Sequence, residues 1–373
     1  MIHQITIKNM VSSVAKNLPL SYNLTMEPNT NWGIFGHTWA VDMLRQHILR
    51  ERVRHAYLFT GPQGIGRRTL ALAFAQALNC PQPLAPGEPC QTCHTCRRIR
   101  EMVFPDLSVV QAEQVGGVLK VDQVRELQRS LALAPYEGRY RVALLLRMEE
   151  AHVSASNALL KTLEEPNPQV VLLLTAADAE SLLPTIVSRC EVLRLRPLPL
   201  ELVRQNLQDR LGFPPEDAQL LSGISNGRPG YAINLHDNPT QRDQREEYLN
   251  DLLGLLSASR VERFAYAEAH TTDRDRDKQR EKVQEVIQHI LPLWTSFWRD
   301  VLLQTAGTVE TPANLDFQDQ INTLAGQLDL QQVYRLVAQT ELTLANIIRN
   351  VNARMAMEVL LLDLPRLPQV NLG

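Results

Sequence analysis

Cys80, Cys90, Cys93 and Cys96 are spaced C-x9-C-x2-C-x2-C. Thiolates this close together suit one tetrahedral zinc ion. Four protein ligands leave no open coordination position, so such a metal would be structural rather than catalytic. The intervening PQPLAPGEP segment has little apolar content of its own to fold around. A metal would supply what is missing, since structural zinc contributes about 10–16 kcal/mol of apparent binding free energy in finger peptides. His94 lies between two of the cysteines and is expected to be exposed, and Cys190 stands alone at a strand start and is expected in the core.

A second constellation is suited to phosphate. The apolar run HAYLFT leads into Gly61-Pro62-Gln63-Gly64-Ile65-Gly66-Arg67-Arg68-Thr69 and then into a helical pattern. Glycines let backbone N–H groups turn inward, and a helix N-terminus favours an anion. The full phosphate-loop pattern asks for Lys and then Ser or Thr after Gly66, but Arg67 and Arg68 stand there and Thr69 comes one residue late. Arg keeps the charge of Lys but not its compact shape. Arg68 cannot ligate Mg²⁺ as a hydroxyl would. A hydrolytic site also needs carboxylates where the strand VALLL ends. That strand runs into Leu146-Arg147-Met148, with Glu149 and Glu150 only afterwards. Two readings of the loop stay open: a phosphate loop with impaired catalysis, binding ATP or ADP through Gly61, Gly64, Gly66, Arg67, Arg68 and Thr69 if at all, and a Gly-rich turn that binds nothing.

These residues need elements to hold them. Residues 31–197 alternate strand and helix, with apolar runs at 55–60, 107–112, 140–147, 170–175 and 191–196. Continuous apolar strands alternating with helices predict a parallel α/β sheet covered on both faces. Residues 198–237 read as short helices, a small helical domain. Residues 245–373 carry long helical patterns at 273–304 and 330–364, and predict an all-α domain. HDNPTQRDQREE, before it, reads as a linker or an exposed helix start. Residues 1–30 are rich in Asn, have weak periodicity, and are expected to be a disordered extension.

The chain has 373 residues and a formal net charge of −3, with 38 basic residues against 41 acidic ones. A surface basic overall, built to wrap nucleic acid, is excluded by that balance. Apolar runs of about 18 residues, the length of a membrane span, are missing. The N-terminus lacks the apolar core of a secretory signal. Five cysteines, four of them clustered, do not make a disulfide scaffold. A cytoplasmic protein is expected.

Taken together, several segments carry a resemblance. GHTWAVDMLRQHI, HAYLFTGPQGIG, the four-cysteine insert, FPDL, VDQVRELQRSL, NALLKTLEEP, LLPTIVSRC and SNGRPG occur in this order. The chain thereby resembles the AAA+ clamp-loader subunits of bacterial DNA polymerase III over about residues 31–237. RNVNARMAMEVLLLDLP resembles the family's C-terminal collar more weakly. The resemblance implies a P-loop NTPase-like sheet domain, a small helical lid and an all-α oligomerisation collar. It implies that Arg189, in Ser188-Arg189-Cys190, is an arginine finger acting in trans on a neighbour's nucleotide. It implies that Arg228 is the lid's sensor arginine and that the cysteines hold the family's zinc. The first sensor position falls at Thr175-Ala176, with Ala176 where a polar residue is expected. The implied partners are the gamma/tau motor and delta subunits, with the sliding clamp and primed DNA reached through the assembly. The damage at Arg67, Arg68, Leu146 and Arg147 favours a stator without ATPase activity of its own. The alternatives are an active motor subunit of the gamma/tau type and a zinc-dependent interaction module unrelated to replication.

Overall fold

The five apolar runs become five parallel strands. A computed structural model describes residues 31–113, 116–308 and 312–367. The expected extension over 1–30 lies outside the described residues. The strands are β1 (Ala56–Thr60), β2 (Leu107–Val110), β3 (Arg141–Leu145), β4 (Val170–Ala176) and β5 (Glu191–Arg194). Their spatial order is β2-β3-β4-β1-β5, and every pairing is parallel. Register follows the side chains. Tyr57 and Phe59 enter one core with Val142, Leu144, Val171 and Leu173. Ala56 and Leu58 enter the other with Ala143, Leu145, Leu172 and Leu174. Alternate residues of one strand thus bury on opposite faces, which is why these runs are continuously apolar.

Helices cover both faces. They are α1 (Thr38–Leu49), α2 (Arg67–Asn79), α3 (His94–Arg100), α4 (Val121–Leu131), α5 (Val153–Glu164), the single turn α6 (Pro184–Val187) and α7 (Leu200–Leu211). Residues of α1, α2 and α3 share the core of Tyr57 and Phe59. Residues of α4 and α5 share the other. The described residues form two compact units. One runs through Pro214 and takes in Gly227–Tyr231; the other holds Pro215–Asn226 and continues from Ala232. The segment 198–237, expected as a separate lid, is therefore shared between them. Gly227 explains part of that division. Leu198 N–H donates to the Gly227 carbonyl at 2.8 Å, and a Cβ on Gly227 would meet the Leu198 carbonyl oxygen at 2.3 Å. Only glycine fits so close an approach with φ +74.

The first unit contains a buried anchor. Asp106 of the FPDL segment is fully buried. Its Oδ1 accepts the Tyr136 N–H, and its Oδ2 accepts those of Glu137 and Gly138, each at 2.7 Å. The Arg141 guanidinium lies 3.6 Å away. Burial alone pushes the Asp106 carboxyl up, but these N–H groups and Arg141 outweigh it and hold it below the usual range. A depressed carboxyl stabilises the fold above its unfolded value of about 3.9, and that stability is lost as pH falls through the folded value. Asp106→Ala is expected to cost about 3–5 kcal/mol at pH 7, read by urea unfolding, because it orphans buried donors and a buried cation. Asp106→Asn should also destabilise at pH 7 and flatten the acid limb of the stability curve. A loss below about 1 kcal/mol would sink this account.

The second unit is helical among its described residues: α8 (Pro215–Ser225), α9 (Pro229–Asp237, whose first three residues group with the first unit), α10 (Pro239–Ser257), α11 (Arg260–Thr271), α12 (Arg276–Glu285), α13 (Leu291–Thr305), α14 (Gln318–Gln327), α15 (Leu330–Ile348) and α16 (Ala353–Asp363). Trp294, Phe297 and Trp298 of α13 are fully buried at its centre. The polar stretch expected as linker or helix start opens α10. The long pattern at 273–304 is helical but passes through a π-turn at Val286–Ile290 just before Pro292. Proline has no N–H to donate, so the ladder must rearrange there. The pattern at 330–364 is two helices rather than one, because Asn350 takes a left-handed conformation with φ 63 between α15 and α16. Arg263, buried on α11, donates to five carbonyl oxygens: those of Leu255, Leu256, Leu361, Leu364 and Pro365.

Candidate functional site

The cysteines converge because two helix ends converge. Cys80 follows the last residue of α2, Cys93 precedes α3, and Cys96 lies in its first turn. The four sulfurs lie within 4.8 Å of one another. Cys80–Cys90 is 3.5 Å, and Cys80–Cys93 and Cys90–Cys96 are 4.0 Å. A tetrahedron with metal–sulfur bonds of about 2.3 Å has edges of about 3.8 Å, so the spacing fits a thiolate-bound metal. Backbone N–H groups of Cys90, Cys93 and Cys96 point at the sulfurs of Cys80, Cys90 and Cys93 at 3.3–3.4 Å. Burial pushes the Cys90 thiol up, but the Cys93 and Thr92 N–H groups outweigh it and bring it down to about 6. Burial pushes Cys80 and Cys96 up. A cation among the sulfurs would offset that burial. Supporting bonds come from Gln76 to the Cys96 carbonyl at 2.7 Å and from Arg97 to the Thr92 carbonyl at 2.7 Å. His94 is exposed and half-buried Cys190 lies on the flank of the core.

The loop of residues 61–66 joins β1 to α2. β1 ends at Thr60, Gly61 N–H donates to the Ala177 carbonyl at 3.0 Å, and Gly66 precedes the first turn of α2. Ile65 is buried beneath the loop and Thr69 is exposed. The turn carrying Arg228 lies against this loop. Gly230 N–H donates to the Gly64 carbonyl at 2.8 Å, and a Cβ on Gly64 would meet Tyr231 at 2.8 Å. The Arg228 guanidinium stands 4.5 Å over the Tyr231 ring. Burial lowers its pKa.

Cations crowd the helix start. Arg67 and Arg68 open α2, whose first turn holds no acid. The macrodipole there disfavours positive charge. Burial lowers the pKa of both, and the Arg147 charge lowers Arg68 further. Carboxylates answer Arg67, that of Glu149 foremost and that of Asp178 more weakly. Glu149 Oε1 lies 3.9 Å from Arg67 Nη1, a charge pair without a hydrogen bond. Burial raises the Glu149 pKa, which its own N–H and Arg67 oppose. Arg67 Nη1 and Glu149 Oε2 are buried and make no hydrogen bond.

β3 ends at Leu145, two residues short of the end of the apolar run at 140–147. Leu146 extends the pairing by one bond to Val110 at 2.9 Å and is buried. Arg147 turns left-handed with φ 52 and donates its N–H to Thr175 Oγ1 at 3.0 Å. Its Nε reaches both Glu150 oxygens at 2.9 Å, and Gly116 N–H donates to Glu150 Oε1 at 2.8 Å. Ala176, beyond Thr175, is buried and offers no polar side chain. The carboxylates of 149 and 150 are thus already engaged by the chain's own cations.

Arg189 is held by other partners. It follows α6, donating Nη1 to the Thr185 carbonyl at 2.8 Å and Nη2 to Glu164 Oε1 at 2.7 Å. Its side chain is 34% exposed. Two partners escaped the sequence reading. Glu149 meets Arg67 and Glu164 meets Arg189, each from a distant part of the chain. Glu164 left one signal: an acid in the final turn of a helix, where the macrodipole disfavours it.

A family model described as DNA polymerase III, delta subunit, matches residues 36–199. The Pseudomonas aeruginosa DNA polymerase III subunit delta' is 39% identical over 225 residues, 59% of this chain and 67% of that protein. The Bacillus subtilis subunit delta' is 32% identical over 184 residues, 49% of this chain and 54% of that protein. The Salmonella typhimurium subunit tau is 34% identical over 215 residues, 56% of this chain and 33% of that protein. The chain thus spans about two thirds of one of these relatives, half of another and a third of the last.

Proposed function

The chain belongs to the AAA+ clamp-loader subunits of DNA polymerase III, and on that premise we propose that it is a delta'-type stator of the loader. It hydrolyses no nucleotide itself. It presents Arg189 to the nucleotide held by a neighbouring gamma/tau motor subunit. It assembles with motor and delta subunits through its helical collar, in the cytoplasm, and supports loading of the sliding clamp onto primed DNA. The cysteines hold a structural zinc.

The observation that carries this reading is Arg68, a guanidinium where a motor needs a metal-ligating hydroxyl. The Arg67–Glu149 charge pair supports it, since a carboxylate that answers the protein's own cation is less available to Mg²⁺. The same proximity gives the motor reading its one point, because a carboxylate does reach the loop. Titrating the isolated chain with Mg²⁺ and ATP or ADP separates the two. A millimolar ligand with micromolar affinity would stabilise by about 4 kcal/mol, several degrees in melting temperature. We expect a shift below about 1 °C and no turnover. Robust turnover would make the chain a motor.

A further inference from the structure

Arg189 does not extend freely. Its guanidinium has five N–H donors, and one on each Nη is used, on the Thr185 carbonyl and on Glu164 Oε1. Thr185 is local, one turn back in α6. Glu164 comes from another element, the last residue of α5. The two acceptors grip the end of a long side chain. Three N–H groups remain, and the side chain stays 34% exposed. We infer that Glu164 is the positioning residue of Arg189, holding the guanidinium so that its remaining donors face outward to an anion presented by a neighbouring subunit. The inference rests on the trans-acting reading of Arg189.

The gain from such a tether is entropic. A free arginine side chain samples many rotamers, and each must be restricted before a bidentate contact with phosphate forms. A tether that restricts them beforehand removes that cost from the transition state. The opposite role, a latch that withholds Arg189, fits poorly. Glu164 is 51% exposed, and an ion pair so accessible to water and salt is weak against a triphosphate. Its placement has no evident helix rationale either, because a carboxylate in the last turn opposes the macrodipole and gains from a cation set against it.

The test uses the loader reconstituted with its motor and delta subunits, the clamp and primed DNA. ATP turnover is measured for wild type, Glu164→Ala, Glu164→Gln, Arg189→Ala and the double variant Glu164→Ala/Arg189→Ala. Melting temperature and assembly are followed in parallel. Glu164→Ala is expected to lower kcat about three- to fivefold, equivalent to about 0.6–1 kcal/mol, with KM for ATP unchanged. Glu164→Gln, which keeps the acceptor oxygen, should recover most of the loss. In the Arg189→Ala background the Glu164→Ala change should add nothing. A rise in turnover on Glu164→Ala would make the contact a latch and overturn the inference. No change, or an equal loss without Arg189, would overturn it too. If Arg189→Ala itself leaves turnover intact, the trans-acting reading fails and the positioning role falls with it. A large Arg189 effect beside a silent Glu164 defeats the positioning role alone.

Discussion

In the assembled loader, Arg189→Ala is expected to cut clamp- and DNA-stimulated ATP turnover by about 10³-fold or more, the range lost when nucleotide hydrolases lose an arginine finger. The size follows from what the group would do. A guanidinium set against the transferring phosphoryl group offers charge and fixed N–H donors in a site without water, where such stabilisation is greatest. The substitution touches no core, since the side chain is partly exposed and its partners are one carbonyl and one half-exposed carboxylate. Melting temperature and assembly should therefore stay within experimental error of wild type. Arg189→Lys should not restore turnover, because an ammonium lacks the planar fork. A loss smaller than about tenfold, with assembly intact, would sink the assignment.

The second large effect is expected at the cysteines. The purified chain should contain one zinc per molecule by elemental analysis. Chelation, or Cys93→Ser, should lower the melting temperature of the first unit by roughly 6–20 °C. About a third of the ~10–16 kcal/mol apparent binding free energy would be lost as stability, at about 2–4 °C per kcal/mol. The loss should be local first. The Leu84–Glu88 turn is tied to the body by the Trp32 indole donating to the Gly87 carbonyl at 3.0 Å and by Arg45 at 2.8 Å from Glu88. Proteolysis should open near residues 81–92 before the sheet. A full-length chain free of zinc and equally stable would show that the thiols hold no metal.

The sheet was legible because burial on both faces forces long apolar runs, and five such runs sit between helical patterns. The cysteine cluster was legible because its four members are close in sequence. The departures from the phosphate-loop pattern at Arg67 and Arg68, and the strand end at Leu146 and Arg147, could be read residue by residue. What escaped depends on long-range contact or on single residues. Glu149 reaches Arg67 only because a tight turn at left-handed Arg147 folds the chain back after β3. Glu164 meets Arg189 across two elements that share no pattern. The break at Asn350 lies inside a stretch whose apolar spacing is helical on both sides, so periodicity could not register it. Pro292 did mark its π-turn, but a proline near a helix start is also ordinary.

Arg263 bears on how the chain is made. Its guanidinium is buried and donates to carbonyls of Leu255 and Leu256 and to those of Leu361, Leu364 and Pro365. During synthesis the first unit has all its described residues once Tyr231 has emerged, and it is free to fold. The second unit is not. While residues 361–365 remain in the ribosome, three of the acceptors that make burial of Arg263 tolerable do not exist. The helical unit must wait until these residues have emerged, so a ribosome stalled before that point would carry one finished unit and one unable to close.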